Sequence, residues 1–302
     1  DKGKTWETTP VTQNSMLDNV RPFVPLHDPE GKVMWMYNYS YPGFREYKTA
    51  IRVNDIDKGW DNSMAQEPVK AVMKAVADWQ IADMNEQYGS NPSLGWITST
   101  FYYGLSQYLE VAPDKSYYDW LYRIGRKNSW QPSSRMYHAD DIVVSQSYIE
   151  LSKRNNNNKS LLIPTIARAD WVMDNLENAG TSSDVKAFTQ KRWSWCDALF
   201  MAPPVYAGLY SVTGDHKYME FMDREFKLTA YHLYDKKEKL FYRDLRFPGK
   251  TEKNGEKIFW GRGNGWVVAG LVNILKNLPE GDKYRPYYEN LLVDMCSRLA
   301  TL

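Results

Sequence analysis

Cysteine is scarce in this chain. Cys196 and Cys296 are the only two in 302 residues, so at most one bridge can form and a disulfide-built fold is excluded. An excess of either charge is missing too: 38 basic side chains face 37 acidic ones, a net charge of +1, which leaves no electrostatic footprint for nucleic acid or an anionic membrane as partner. No stretch approaches the roughly 18 to 20 apolar residues of a membrane span, and the opening DKGKTWETTP has no apolar signal core. The expectation is a soluble protein in mature form, periplasmic or extracellular, with the cytoplasm as the other compartment. Also absent are HExxH, a CxxC pair, a GxSxG elbow and an EF-hand loop, and the four histidines, His27, His138, His216 and His232, are scattered. No metal and no cofactor are expected.

What the chain has in quantity is aromatic: 12 Trp, 22 Tyr and 10 Phe, 15% of the residues. Flat amphipathic rings stack on sugar faces while their polar tips hydrogen-bond, which suits a carbohydrate site, although large helical cores also use many rings.

Four segments share one grammar of apolar helix, short polar turn and second helix: FYYGLSQYLEVAPDKSYYDWL, QSYIELSKRNNNNKSLLIPTI, VYAGLYSVTGDHKYMEFM and VVAGLVNILKNLPEGDKYRPYYENLL. Leu105, Tyr108 and Leu109 fall on one helical face, and each segment reads as a helical hairpin. Taken at Gly104, Ile149, Gly208 and Gly270, the units recur every 45 to 62 residues. Helix pairs in such an array must stack or close to bury their apolar faces, and an α/α toroid is the economical result. Helices are predicted at 68–85, 95–111, 115–128, 140–154, 161–178, 196–212, 216–231, 264–277 and 283–301. A closed ring of six hairpins needs twelve helices, so the expected fold is all-α, a toroid that is open or truncated at its C-terminal end. The predicted domains are residues 1–62, an irregular or extended segment with short strands around MWMYNYSYPGF and TAIRV, and residues 63–302, the toroid. The hairpin turns are short and the return connections long, so function is expected on the rim that the long connections form.

Three polar clusters open successive inner helices. In YHADDIVVSQSYIEL, Asp140 and Asp141 precede an apolar helix, where helix capping competes with a role in the cavity; His138 is a further polar candidate. In KRWSWCDALFMAPP, Asp197 follows Trp195 and Cys196 and precedes an apolar run. A carboxyl so placed is expected to have a raised pKa and to hold its proton, as a general acid must; a buried Asp bonded to backbone or to an arginine is the competing role. In FWGRGNGWVVAGL, three glycines alternate with Arg262 and Asn264 between Trp260 and Trp266. The spacing of a dinucleotide loop is absent, and an arginine between tryptophans suits a sugar carboxylate, or else a helix-entry turn with the arginine stacked on a ring.

These three strings, in this order and joined by the hairpin grammar, resemble the unsaturated rhamnogalacturonyl hydrolases, glycoside hydrolase family 105, over roughly residues 66–302. The resemblance implies an (α/α)6 barrel acting on the 4,5-unsaturated uronic acid that lyases leave at the nonreducing end of pectin fragments, so the implied partner is an unsaturated oligosaccharide. By motif it implies Asp197 as general acid/base, Asp140 as second acid, and Arg262, Trp260 and Trp266 as substrate-binding residues; His138, Asp141 and Trp195, from the polar clusters themselves, are further substrate-binding candidates. Where many members carry a histidine after the LFY-type string this chain reads LFYRD, which puts Arg243 in that subsite. Trp96 and Tyr102 are assigned to the early aromatic subsite by position, without a motif match. Two other readings stand: a glycan-binding protein without catalysis, and another toroid enzyme such as an inverting glycosidase or an epimerase, although the paired histidines an epimerase would need on facing inner helices are not found.

Overall fold

The computed structural model describes residues 19–23, 34–43, 46–53, 66–89, 91–176 and 188–302. The chain divides into two units, Asp1–Gln80 and Ile81–Leu302. In the first, β1 (Asn19–Phe23), β2 (Met34–Gly43) and β3 (Glu46–Val53) form an antiparallel sheet in that order. β2 pairs with β3 from Met34↔Val53 to Gly43↔Glu46, with the register shifting on either side of Ser40. The strands expected around MWMYNYSYPGF and TAIRV are therefore β2 and β3, whereas residues 1–18, 24–33, 44–45 and 54–62 of the opening segment lie outside the described residues. Helix α1 (Gln66–Tyr88) runs across the division between the units.

The second unit is built of helical hairpins: α2 (Trp96–Val111) with α3 (Lys115–Lys127), α5 (Val144–Arg154) with α6 (Ile163–Asn175), α8 (Pro203–Thr213) with α9 (His216–Leu233), and α10 (Gly261–Asn277) with α11 (Arg285–Leu299). The first members pack side by side, α2 on α5, α5 on α8 and α8 on α10, the hairpin packing of an α/α toroid. Turn chemistry sets the hairpins: Asp114 accepts the Ser116 amide at 2.7 Å at the start of α3, and Asp215 accepts the Lys217 amide at 3.1 Å at the start of α9. No described helix is long and apolar enough to cross a membrane.

Two predicted helices are broken in the structure. The one expected at 140–154 is α4 (Ala139–Ile142) followed, after Val143, by α5. The one expected at 196–212 is α7 (Ala198–Met201) followed by α8. In the second case the cause is Pro203 and Pro204 in the first turn of α8, which have no N–H to give to carbonyls one turn earlier. The side chain of Gln146 on α5 takes over one of those carbonyls: its amide donates to Phe200 O at 2.7 Å, and its own oxygen accepts from Asn273 Nδ2 on α10 at 3.3 Å. A buried carbonyl that would otherwise cost a few kcal/mol is thereby satisfied.

The same break allows α10 to come close. Gly270 faces the backbone of α7, and a Cβ there would stand 2.3 Å from the Leu199 carbonyl oxygen, so only glycine fits. Much of the aromatic content goes into the core instead of a sugar site. Tyr102, Tyr148, Tyr206 and Tyr288 are fully buried, with Tyr148 edge-on to Trp130 and Tyr206 beside Trp193.

Candidate active site

The segment leading to Asp197 is clamped before it reaches the helix. Arg192 and Glu225 on α9 form a buried two-point ion pair, with Nε–Oε2 at 2.5 Å and Nη2–Oε1 at 2.9 Å. Trp193 adopts a left-handed backbone conformation at φ 55°, and its carbonyl accepts from Thr229 at 3.0 Å. Three residues on, the Cys196 amide donates to the Arg243 carbonyl at 2.9 Å, while Trp195 bridges to Asp244. Asp197 therefore enters α7 on a fixed backbone. Its side chain makes no capping bond, and among the described residues it forms no ion pair. The buried Cys196 thiol donates to its Oδ1 at 3.3 Å. Burial pushes the pKa of Asp197 up; the Cys196 bond, a backbone bond and the more distant charges of Arg243 and Arg262 oppose the rise without reversing it. Of the two competing roles, the arginine pair is not formed among the described residues, and the backbone bond is present but does not reverse the rise.

The paired aspartates divide their work. Asp141 is buried and committed: Oδ1 accepts from Arg135 Nη2 at 2.5 Å and Nε at 2.9 Å, and Oδ2 accepts from the Arg135 amide at 2.7 Å. Arg168 holds the same loop by donating to the carbonyls of Ser133 at 2.7 Å and Arg135 at 3.2 Å. His138 caps α4, its Nδ1 accepting the Asp140 amide at 3.3 Å, and its ring lies 5.0 Å from that of Trp195. Burial and the charge of Arg135 lower the His138 pKa, which keeps the ring neutral and Nδ1 free to accept. With capping done by His138 and the arginine taken by Asp141, the Asp140 carboxylate accepts no hydrogen bond among the described residues; the basic group closest to it there is His138 Nδ1 at 3.7 Å. Burial first, then the negative charges of Asp197 and Asp141, push Asp140 up to about 6 against the pull of Arg135.

Two arginines meet at one ring. Arg262 lies 4.4 Å and Arg243 5.7 Å from the centroid of Trp260, and both charges act on Asp197. Asn264 holds this corner together: Oδ1 accepts the Phe241 amide at 2.8 Å and Nδ2 donates to the Phe241 carbonyl at 3.0 Å, fixing the short hairpin of β4 (Tyr234–Asp235) and β5 (Leu240–Phe241) against the start of α10. Gly263 lets that helix start abut the acid, since a Cβ there would come within 2.7 Å of both Cys196 Sγ and the Trp260 ring.

Of the remaining candidates, Trp266 packs against Phe200 at 4.7 Å and edge-on to Trp96 at 6.3 Å, and its buried indole N–H has no partner among the described residues. Tyr102 is buried, with its hydroxyl donating to the Ser93 carbonyl at 2.9 Å and its ring against Trp120. The structure thus gathers Asp197, Asp140, His138 and Trp195 with Arg243, Trp260 and Arg262, ties Asp141 to the scaffold, and turns Tyr102 toward a different cavity. Sequence reasoning gave Cys196, Asn264 and Arg135 no part; Asn264 alone carried a signal, as the polar residue inside the glycine string.

The profile of Glycosyl Hydrolase Family 88 matches residues 69–302. This chain belongs to that family. Two curated relatives are both named "Unsaturated 3S-rhamnoglycuronyl hydrolase". The one from Alteromonas sp. (strain LOR) is 32% identical over 260 residues, covering 80% of this chain and 63% of the relative. The one from Formosa agariphila is 38% identical over 243 residues, covering 78% and 63%. The chain thus spans somewhat less than two thirds of the length of these relatives. Among solved structures, a family 88 glycosyl hydrolase from Bacteroides vulgatus superposes with a TM-score of 0.60 at 26% identity, covering 75% of this chain and 68% of that one. A family 105 glycoside hydrolase from C. acetobutylicum superposes at 0.56 and 21% identity, covering 73% and 64%, a likeness of fold. The resemblance carried by the three strings and this family 88 membership agree.

Proposed function

We propose that this family 88 chain carries the catalytic site of a hydrolase that removes a 4,5-unsaturated uronic acid from the nonreducing end of a lyase-generated, rhamnose-containing oligosaccharide, a rhamnogalacturonan fragment in the first instance. The observation that carries the reading is the state of Asp197: a half-buried carboxyl of raised pKa, hydrogen-bonded by a thiol and in no ion pair among the described residues, within the electrostatic reach of Asp140 and two arginines. The names of the two curated relatives support the substrate class and add a second candidate, a 3S-rhamnoglycuronyl unit.

In such a sugar the C4=C5 double bond is conjugated with the ring oxygen as an enol ether. Protonation of C4 by Asp197 turns the double bond into an oxocarbenium ion shared between C5 and the ring oxygen. Water adds at C5 and gives its proton to the Asp197 carboxylate, which restores the acid. The resulting hemiketal opens and the neighbouring sugar is released, without attack at the glycosidic carbon, so the two-carboxylate scheme of ordinary glycosidases is not required. Asp140, with no other hydrogen-bonding duty, orients a sugar hydroxyl or the water. Arg262 and Arg243 face the uronate, and Trp260 keeps both guanidinium groups in place.

The test is Asp197→Asn. Unsaturated rhamnogalacturonan and 3S-rhamnoglycuronyl oligosaccharides are offered, and the ultraviolet absorbance of the double bond is followed. The variant is expected to bind but leave the absorbance unchanged; turnover near that of the unsubstituted protein refutes the assignment.

A further inference from the structure

A cavity of about 380 Å³ lies where the end of α1, the loop after it, α2 and α3 meet, and Asp140, Asp197, Arg243, Trp260 and Arg262 are not among the residues that line it. Its walls include the rings of Tyr88, Tyr102 and Trp120 and the side chains of Arg123 and Lys127. The polar tips of the two buried rings are already used: Tyr102 donates to Ser93 O, and the Trp120 indole N–H donates to Asn85 Oδ1 at 3.0 Å. They hold the walls in place and leave recognition to other groups. Arg123 and Lys127 stand four residues apart on α3, on one face, and both are exposed.

Neither cation meets a carboxylate among the described residues. Other cations of this unit do: Lys115 with Asp119 on the same helix, Lys276 with Glu110, and Arg285 with Glu289. Like charges at this spacing repel, so an anion seated between them is held by both. A guanidinium and an ammonium at the mouth of an aromatic-walled cavity match a sugar ring that bears an anionic group.

We propose that this cavity is a second carbohydrate-binding site, separate from the acid pair, for a sugar carrying a sulfate or carboxylate group. Arg123 and Lys127 take the anion and the half-exposed Tyr88 takes a sugar face. The sugar class rests on the carbohydrate reading of the family; occupancy does not depend on what Asp197 does.

The test follows the indole N–H signal of Trp120 by NMR, assigned with Trp120→Phe, in the Asp197→Asn protein. Rhamnose 3-sulfate, unsulfated rhamnose, glucuronate and inorganic sulfate are titrated separately. Rhamnose 3-sulfate or glucuronate is expected to shift the signal, and whichever binds more tightly identifies the anion as sulfate or carboxylate. Unsulfated rhamnose is expected to leave it in place. Arg123→Gln with Lys127→Gln is expected to weaken binding about tenfold or more, while Arg262→Ala leaves it unchanged. No shift with either charged sugar overturns the proposal. So does undiminished binding by the double variant, loss of the shift in Arg262→Ala, or inorganic sulfate binding as tightly as the sugars. Turnover by Asp197→Asn would overturn the catalytic assignment alone and leave this site standing.

Discussion

Replacing Asp140 by asparagine should stabilise the fold, and should do so only where the aspartate is ionised. The side chain is 19% exposed and is held up to about 6 from an ordinary value near 3.8, chiefly by burial. For an acid whose folded pKa is raised, the folded state binds the extra proton, so stability falls as pH rises from the unfolded value toward the folded one. Below about pH 4 both states are protonated and no penalty exists. Above about pH 6 both are ionised and the whole penalty is present. Two decades of proton affinity at about 1.4 kcal/mol each set an upper figure of about 3 kcal/mol. Solvent screening of a partly exposed group halves this to about 1.5 kcal/mol. Asparagine keeps the shape of the neutral acid and escapes the penalty. At pH 8 the variant should therefore gain about 1.5 kcal/mol, relative to its difference from the parent at about pH 3, or about 3 to 6 °C in melting temperature. Paired thermal melts of parent and variant across that range measure it. A stability difference that does not change with pH, or that moves against asparagine as pH rises, refutes the placement of Asp140 as a desolvated acid without a hydrogen-bonding partner.

Two packing predictions test the scaffold beneath the site. Gly270→Ala puts a methyl group 2.3 Å from the Leu199 carbonyl oxygen, and because the obstacle is backbone, α10 must move; a loss of about 3 kcal/mol is expected, and an unchanged melting temperature would contradict the close approach of α10 to α7. Gln146→Leu keeps a side chain of similar size but strips the donor from the Phe200 carbonyl, with an expected loss of about 1 to 3 kcal/mol. Denaturant titration reads this, and a variant as stable as the parent would mean that the carbonyl is satisfied elsewhere.

The hairpin array was legible because helix periodicity and turn residues are local: Asp114 and Asp215 announce helix starts, and the structure uses both as caps. The two broken helices were not legible from periodicity, because a break before Pro203 depends on whether something else can satisfy the Phe200 carbonyl. That something is Gln146, 54 residues away. The aromatic count also misleads when read alone, because the four largest fully buried side chains are tyrosines built into the scaffold.

Local sequence determined which acids and arginines stand at the starts of inner helices, because those positions follow from helix ends and from the strings HADD, WCDALFMAPP and WGRGNGW. Only the tertiary structure decided what each is free to do. Asp141 and Asp140 are chemically identical neighbours, yet Arg135 reaches one and His138 caps the helix beside the other. Burial, partners and distant charge are properties of the surroundings, and those surroundings come from segments that the chain brings together only when it folds.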